Sequence, residues 1–174
     1  MKDPLAWLKK LGRYLWGKRA ELTEMSEADV LLGKVVLDIH RKRRRSHFVS
    51  VPLFSLKQIH PINRDNSVAA TEKRIAVLKE HGQAIAQAGH LDRAGLNRYL
   101  PSVSAVKVVA DGNGNYIAFE GNGRLVALQN VFTPVDNINV EVEEYLFSDS
   151  ATILRRINRV RALHNLRPEE DMPR

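Results

Sequence analysis

The sequence predicts an α+β fold, in which a small mixed β-sheet is surrounded by helices and preceded by a helical appendage. Apolar residues at helical spacing and short or alternating apolar runs both occur, without the strict alternation of a βαβ protein. At 174 residues, the chain can form one compact domain with its own core. We expect a basic helical appendage at residues 1–46, a core domain at 47–165 and a polar tail at 166–174.

The composition narrows the chemistry and the partners. There is no cysteine, which excludes disulfides, thiolate metal sites and thiol nucleophiles, and fits the reducing environment of the cytoplasm. The net charge is +7 and the isoelectric point is near 9.9, which favours an anionic partner such as nucleic acid, nucleotide phosphates or acidic lipid. No apolar run approaches the roughly 18 residues that span a bilayer.

Residues 5–19 are predicted to form a basic amphipathic helix. Asp3 and Pro4 are typical of a helix start. Apolar residues recur at helical spacing while most cations lie elsewhere on the wheel, the apolar positions being Leu5, Trp7, Leu8, Leu11, Tyr14, Leu15 and Trp16. We expect this helix to pack on its own domain or on another subunit of a homo-oligomer, or to bind a protein partner. Its composition also permits association with a membrane surface.

A second helix is predicted to begin after Ser26, with Asp29 in a loose capping box, although residues 35–39 can instead be interpreted as a strand. Five consecutive cations follow, and we call them the cationic run: Arg41, Lys42, Arg43, Arg44 and Arg45. Because they repel one another, they should lie exposed in a loop. The run is either a solvated loop or a contact to the phosphates of DNA or another acidic polymer.

Helices and strands are mixed along the core domain. The predicted strands are residues 47–53, 103–110, 116–120 and 139–146, with a DGNGN hairpin between the second and third. The predicted helices are residues 71–81 with Gly82 as the stop signal, one or two short helices in 83–101, residues 124–131, and a final helix capped by Ser148 or Asp149. Residues 59–67 are expected to form a loop.

The strongest candidate site is the turn EGNGR between a predicted strand and a predicted helix. Gly121 and Gly123 permit unusual backbone conformations and keep side chains away from an anion. The helix start offers free N–H groups, to which Arg124 adds a guanidinium and Asn122 an amide. Glu120 can coordinate a magnesium ion that bridges phosphates, or accept a proton from an attacking hydroxyl. The alternative is a structural turn in which Arg124 pairs with Glu120.

Two segments resemble the ParB/sulfiredoxin-like superfamily. Residues 51–66, VPLFSLKQIHPINRDN, are similar to the opening strand and following loop of ParB N-terminal domains. Residues 116–129, YIAFEGNGRLVALQ, are similar to the family's hairpin strand and its G-x-x-R turn, which opens a helix rich in Ala and Leu. The likeness covers roughly residues 48–146.

The resemblance implies a nucleotide-binding fold in which the G-x-x-R turn holds the phosphates of ATP or CTP with magnesium. Residues 121–124 would then hold phosphates, Arg64 would face the same pocket, and Glu120 would match the acidic residue of kinase-like members. The absence of cysteine excludes sulfiredoxin chemistry. Partition proteins usually carry Glu-Arg-Arg where this chain has Asn122-Gly123-Arg124. Roughly 28 residues follow Leu146, and we expect them to form one helix and no helix-turn-helix domain.

The leading hypothesis is therefore a nucleotide-binding domain, with hydrolysis or phosphoryl transfer to a small molecule as its potential chemistry. A second hypothesis is a non-enzymatic protein that binds nucleic acid through the cationic run. A third is a module that docks on a membrane or a partner through residues 5–19. The six histidines show no paired spacing typical of a zinc site.

Overall fold

Six strands form one mixed sheet, and helices cover both of its faces. The computed structural model describes residues 26–166. Within this range the strands are β1 (Arg45–Pro52), β2 (Leu56–Gln58), β3 (His90–Leu91), β4 (Lys107–Ala110), β5 (Tyr116–Glu120) and β6 (Asn139–Leu146). The α-helices of the same range are α1 (Glu27–Lys42), α2 (Asp65–Ala88), α3 (Arg93–Tyr99), α4 (Asn122–Val131) and α5 (Ser150–Leu163). The predicted α+β class is confirmed.

The sheet contains both parallel and antiparallel neighbours. Its strand order is β1-β6-β4-β5-β2, and β3 pairs with β6. The β1–β6 and β4–β5 pairs are antiparallel, whereas β2–β5, β3–β6 and β4–β6 are parallel. Strand β5 is thus flanked by β4 and β2, and its C-terminal end at Glu120 meets segments from distant parts of the sequence. This meeting point is where the candidate turn begins.

Two apolar layers fill the space between the sheet and the helices. Helices α2, α3 and α4 contribute Leu78, Leu96 and Leu128 to the larger cluster on one face. The opposite face packs against α1 and α5, with Val35, Ile39, Ile117, Phe119, Ile153, Ile157 and Val160 in one cluster. Helix α1 therefore packs in the core of the fold, although it lies within residues 1–46, the predicted appendage. The amphipathic helix expected at 5–19 and the tail lie outside the described residues.

The start and cap of α1 match the sequence interpretation. The Ser26 hydroxyl accepts a hydrogen bond from the backbone N–H of Asp29 at 3.2 Å. Residues 35–39 are helical, so the strand alternative is wrong. The cationic run does not form a loop of its own, because Arg41 and Lys42 complete α1 and Arg45 begins β1. All five of its side chains are nonetheless exposed, as predicted.

The hairpin and the final cap are also confirmed. Gly112 and Gly114 have φ values of 84° and 85°, and the Asp111 carboxylate accepts from the N–H groups of Asn113 and Asn115. Asp149 caps α5 by accepting from Thr152 N at 3.0 Å. Strand β4 is shorter than predicted, since it starts at Lys107. Among residues 26–166, no helix has the length and apolar character needed to cross a membrane.

The predicted bounds of the central helix are wrong at both ends. Helix α2 begins at Asp65, inside the expected loop, and continues through Gly82 to Ala88. The residue that ends it is Gly89, whose φ of 64° is left-handed. A glycine inside a helix costs only about 1 kcal/mol. Burial of Leu78 and Ile85, on either side of Gly82, outweighs that cost and carries the helix onward.

Two glycine substitutions test this assignment of the helix end. Gly82→Ala should raise the free energy of unfolding by about 0.5–1 kcal/mol, because a helical alanine loses less backbone entropy. Its Cβ would lie 3.9 Å from Val131 Cγ1, an ordinary contact. Gly89→Ala should lower the free energy of unfolding by about 1–2 kcal/mol, because its φ is left-handed. Urea denaturation measures both, and reversed signs would place the helix end at Gly82.

Candidate functional site

A cleft of about 220 Å³ opens where β5 ends and α4 begins, and we call it the α4 cleft. Four parts of the chain line it: the loop after β2, helix α2, the loop before β4, and the turn from β5 into α4. The lining residues are His60, Ile62, Arg74, Ser102, Ser104, Phe119, Glu120, Gly121, Asn122, Gly123 and Arg124. The whole predicted turn therefore lies on one wall.

The turn requires a glycine at position 121. Gly121 has a φ of 89°, a left-handed conformation that other residues rarely adopt. A Cβ there would also lie 3.0 Å from Val106 Cγ2 and 3.2 Å from Arg124 Nη2. No side chain caps α4, whose first backbone hydrogen bond runs from Leu125 N to Gly121 O. The preceding N–H groups of the helix thus have no intrahelical acceptor, which favours an anion at this position.

Arg124 is buried, and no carboxylate of residues 26–166 forms an ion pair with it. Its side chain is 3% exposed, and its Nη2 donates to the Ser104 carbonyl at 2.8 Å. Its Nη1 is buried and has no hydrogen-bond partner among the described residues. Burial lowers the pKa of Arg124 to about 10, with a further lowering from the charge of Arg74 and an opposing effect of Glu120. The guanidinium therefore remains protonated at neutral pH.

Glu120 pairs with two other bases instead of Arg124. Its Oε1 lies 2.9 Å from His40 Nε2, and its Oε2 lies 2.8 Å from Lys107 Nζ. Burial acts to raise the pKa of Glu120, but the hydrogen bonds from His40 and Lys107 outweigh it and hold the pKa below 4.5. The alternative interpretation, a turn closed by a Glu120–Arg124 pair, is absent from the ion pairs of residues 26–166.

These contacts do not fit a magnesium ion held by the protein. Both oxygens of Glu120 already have partners, His40 and Lys107, and the other residues that line the α4 cleft include no second carboxylate. Residues 26–166 contain no group of three or more His, Cys, Asp or Glu side chains placed to hold a metal. The lowered pKa also makes Glu120 a weak proton acceptor near neutral pH.

The other residues predicted for the site divide between structural and exposed positions. Asn122 is 5% exposed, and its Oδ1 accepts from Ile59 N at 3.2 Å, which ties the loop after β2 to the turn. Arg64 precedes α2 and does not line the cleft. Its exposed guanidinium lies 3.4 Å from Asp29 Oδ1. Gly123 lies in the first turn of α4 and contacts the cleft.

Sequence reasoning missed Arg74, which the structure brings into the α4 cleft. No local signal marks it, because its position depends on α2 starting at Asp65 and packing beside α4. His60 also lines the cleft, and its Nδ1 donates to the Pro61 carbonyl at 2.8 Å. Burial lowers the pKa of His60 below 6.5, against the opposing effect of that hydrogen bond. The imidazole is therefore uncharged at neutral pH.

The cationic run lies outside the α4 cleft. Arg43 folds back onto β6, where its Nη1 donates to the Tyr145 hydroxyl at 3.0 Å and its guanidinium carbon lies 4.7 Å from the ring centre. The Tyr145 ring also contacts His40, the partner of Glu120, with 5.6 Å between ring centres. One chain of contacts thus connects the run with the base of the cleft.

No family model, curated protein or solved structure matches this chain. The likeness to the ParB/sulfiredoxin-like superfamily therefore stays a prediction. The chemistry of the α4 cleft is the basis on which a function can be inferred.

Replacing Glu120 tests how much its contacts with His40 and Lys107 stabilise the protein. Glu120→Gln removes the carboxylate that pairs with the half-buried Lys107. It should therefore lower the free energy of unfolding by about 1–3 kcal/mol at pH 7. Because the folded-state pKa of Glu120 is below 4.5, this stabilisation is complete above pH 4.5 and is lost as the pH falls through the lowered value. The gap between wild type and variant should shrink accordingly in urea titrations below pH 4.5. Glu80→Gln, at an exposed position of α2, is the matched control and should change little.

Proposed function

We propose that this protein binds a nucleoside triphosphate, ATP or CTP, with the phosphates in the α4 cleft. The observation that carries the proposal is the Arg124 guanidinium, which is buried, unpaired by any carboxylate of residues 26–166, and left with a free Nη1. Burying an unpaired charge is costly for a folded protein. An anionic ligand that pairs with Arg124 removes this cost.

The backbone around Arg124 supports a phosphate as that anion. Helix α4 begins beside the guanidinium and has no side-chain cap, so its first N–H groups and its positive dipole end are available to an anion. A Cβ at Gly121 would lie 3.0 Å from Val106 Cγ2, and one at Gly123 would lie 2.8 Å from Arg74 Nη1, so the two glycines allow these side chains to approach the turn. Arg74 brings a second guanidinium to the same cleft.

The size of the cleft suggests which part of the nucleotide it holds. Its volume of about 220 Å³ is below the roughly 300–1,000 Å³ of pockets that enclose a whole small molecule. It suits phosphate groups, while the sugar and base would lie at the open side. Because the contacts are to the phosphates and not to the base, the cleft can hold ATP or CTP.

The proposal is one of binding and leaves out a catalytic step. Glu120, the one carboxylate among the lining residues, is held by His40 and Lys107 and has a lowered pKa. Magnesium would accompany the nucleotide through its phosphates and would supply charge neutralisation there. The role of Glu120 in the proposal is to hold β5 and the turn in place.

Replacing Arg124 with an apolar residue separates binding from stability. Arg124→Met should weaken ATP and CTP binding at least about tenfold, because each charge-assisted hydrogen bond to phosphate contributes about 1.5–3 kcal/mol. The free energy of unfolding without ligand should stay within about 1 kcal/mol of wild type, because methionine fills much of the space without a buried charge. Calorimetric titration and urea denaturation measure the two quantities.

Arg159→Met is the matched control, since Arg159 is an exposed arginine of α5 outside the α4 cleft. It should change neither binding nor stability. Unchanged nucleotide affinity in Arg124→Met, together with a loss of several kcal/mol in stability, would make Arg124 a structural residue and refute the proposal.

The cationic run supports a second candidate function, binding to the phosphates of a nucleic acid. Its five side chains are all exposed along the end of α1 and the start of the edge strand β1. The carboxylate of Asp149 interacts electrostatically with both Lys42 and Arg155, so cations of α5 adjoin those of α1. A surface of this kind favours a polyanion over a single small anion.

A fourfold substitution tests this second candidate while keeping the fold contact of Arg43. Arg41, Lys42, Arg44 and Arg45 are changed to Gln, and Arg43 stays on Tyr145. If each removed cation neutralises a phosphate, the slope of log affinity for duplex DNA against log salt should become less steep by about 3–4. Nucleotide affinity should be unaffected. A DNA affinity and salt slope equal to those of wild type would exclude the run as the contact surface.

A further inference from the structure

We propose that Arg74 and Arg124 together bind two linked phosphoryl groups, so that the α4 cleft selects a diphosphate or longer chain over a monophosphate. This inference rests on the proposed nucleotide binding and adds Arg74 as the residue that determines the specificity. Three features support it: the contacts of the two guanidiniums with the first turn of α4, their charges, and the number of hydrogen-bond donors that they offer.

The two guanidiniums lie against different residues of the turn. Arg124 Nη2 lies 3.2 Å from the position that a Cβ of Gly121 would occupy. Arg74 Nη1 lies 2.8 Å from the corresponding position at Gly123, and Arg74 Cζ lies 3.7 Å from it. Because Gly121 and Gly123 have no side chains, one arginine can contact each of them.

Within residues 26–166, no carboxylate forms an ion pair with either arginine. The two are close enough for Arg74 to lower the pKa of Arg124. Glu120 already pairs with Lys107 and accepts a hydrogen bond from His40. Thr71, the other polar neighbour of Gly123, donates its hydroxyl to the Ser67 carbonyl. An anion that reaches both arginines would lower the repulsion between them.

The donors of two guanidiniums and of the first N–H groups of α4 outnumber the oxygens of a single phosphoryl group. A phosphate ester offers three strong acceptor oxygens. A guanidinium carries five N–H donors and pairs best with two oxygens of the same group. When one phosphoryl group occupies Arg124 and the first N–H groups of α4, few of its oxygens can also pair side-on with Arg74. A second, linked phosphoryl group supplies the missing oxygens, and its attachment to the first removes most of the entropy cost of binding it.

The test compares ligands that differ by one phosphoryl group. Wild type is titrated calorimetrically with orthophosphate and pyrophosphate, and in parallel with AMP and ADP. We expect at least about tenfold tighter binding of the longer member of each pair. Arg74→Gln should remove most of that preference, while the affinity for orthophosphate falls less than about threefold. Lys73→Gln, which removes an exposed cation from the neighbouring position of α2 outside the cleft, should keep the full preference.

The outcomes separate this inference from the proposed function. If wild type binds orthophosphate and pyrophosphate equally well, phosphate binding stands and the two-arginine inference is wrong. If Arg74→Gln lowers both affinities by the same factor, or neither, Arg74 is not the second contact and the inference is again wrong. If wild type binds ATP or CTP but none of these four ligands at millimolar concentration, the inference alone is wrong. If it binds neither the four ligands nor ATP nor CTP, the proposed function fails and the inference fails with it.

Discussion

The turn at Gly121 is the constraint on which the rest of the site depends. Strand β5 ends in the sheet between β4 and β2, and a residue with a φ of 89° must redirect the chain into α4. Val106 leaves no room for a Cβ there. Because the chain changes direction at Gly121, the side chains of Glu120 and Arg124 lie close in sequence but contact different parts of the fold. Glu120 turns toward α1 and β4, whereas Arg124 turns toward the loop before β4.

The two charges then meet opposite environments. Glu120 is compensated by His40 and Lys107, and aromatic rings of Phe119 and Tyr145 pack around His40. Arg124 is buried more deeply and receives one carbonyl as its acceptor. A fold selected for stability alone would rarely keep such an arginine, since an apolar residue of similar volume is often neutral or stabilising. The carboxylate of Glu120 is satisfied within the protein, whereas the guanidinium of Arg124 is not, and this contrast supports the binding of an external anion.

Local patterns in the sequence predicted a large part of the fold. The Ser26 cap, the DGNGN hairpin and the Asp149 cap involve residues within four positions of each other, so their side chains and backbone interact whatever the rest of the chain does. The end of α2 was predicted at Gly82 by the same kind of rule. There the rule failed, because packing of Leu78 and Ile85 against the core outweighs the small intrinsic penalty of a glycine.

By itself, the sequence determined that a glycine-containing turn would join a strand to a helix and carry Arg124 at its start. It could not determine the partners of the charges at that turn. His40 lies 80 positions from Glu120, and the arginine that reaches the cleft is Arg74 rather than Arg64, which the sequence had favoured. Contacts of this kind exist only once the sheet order and the length of α2 are established. The physical reason is that charges interact through distance in space, and spacing along the chain sets that distance only within a turn or a helix.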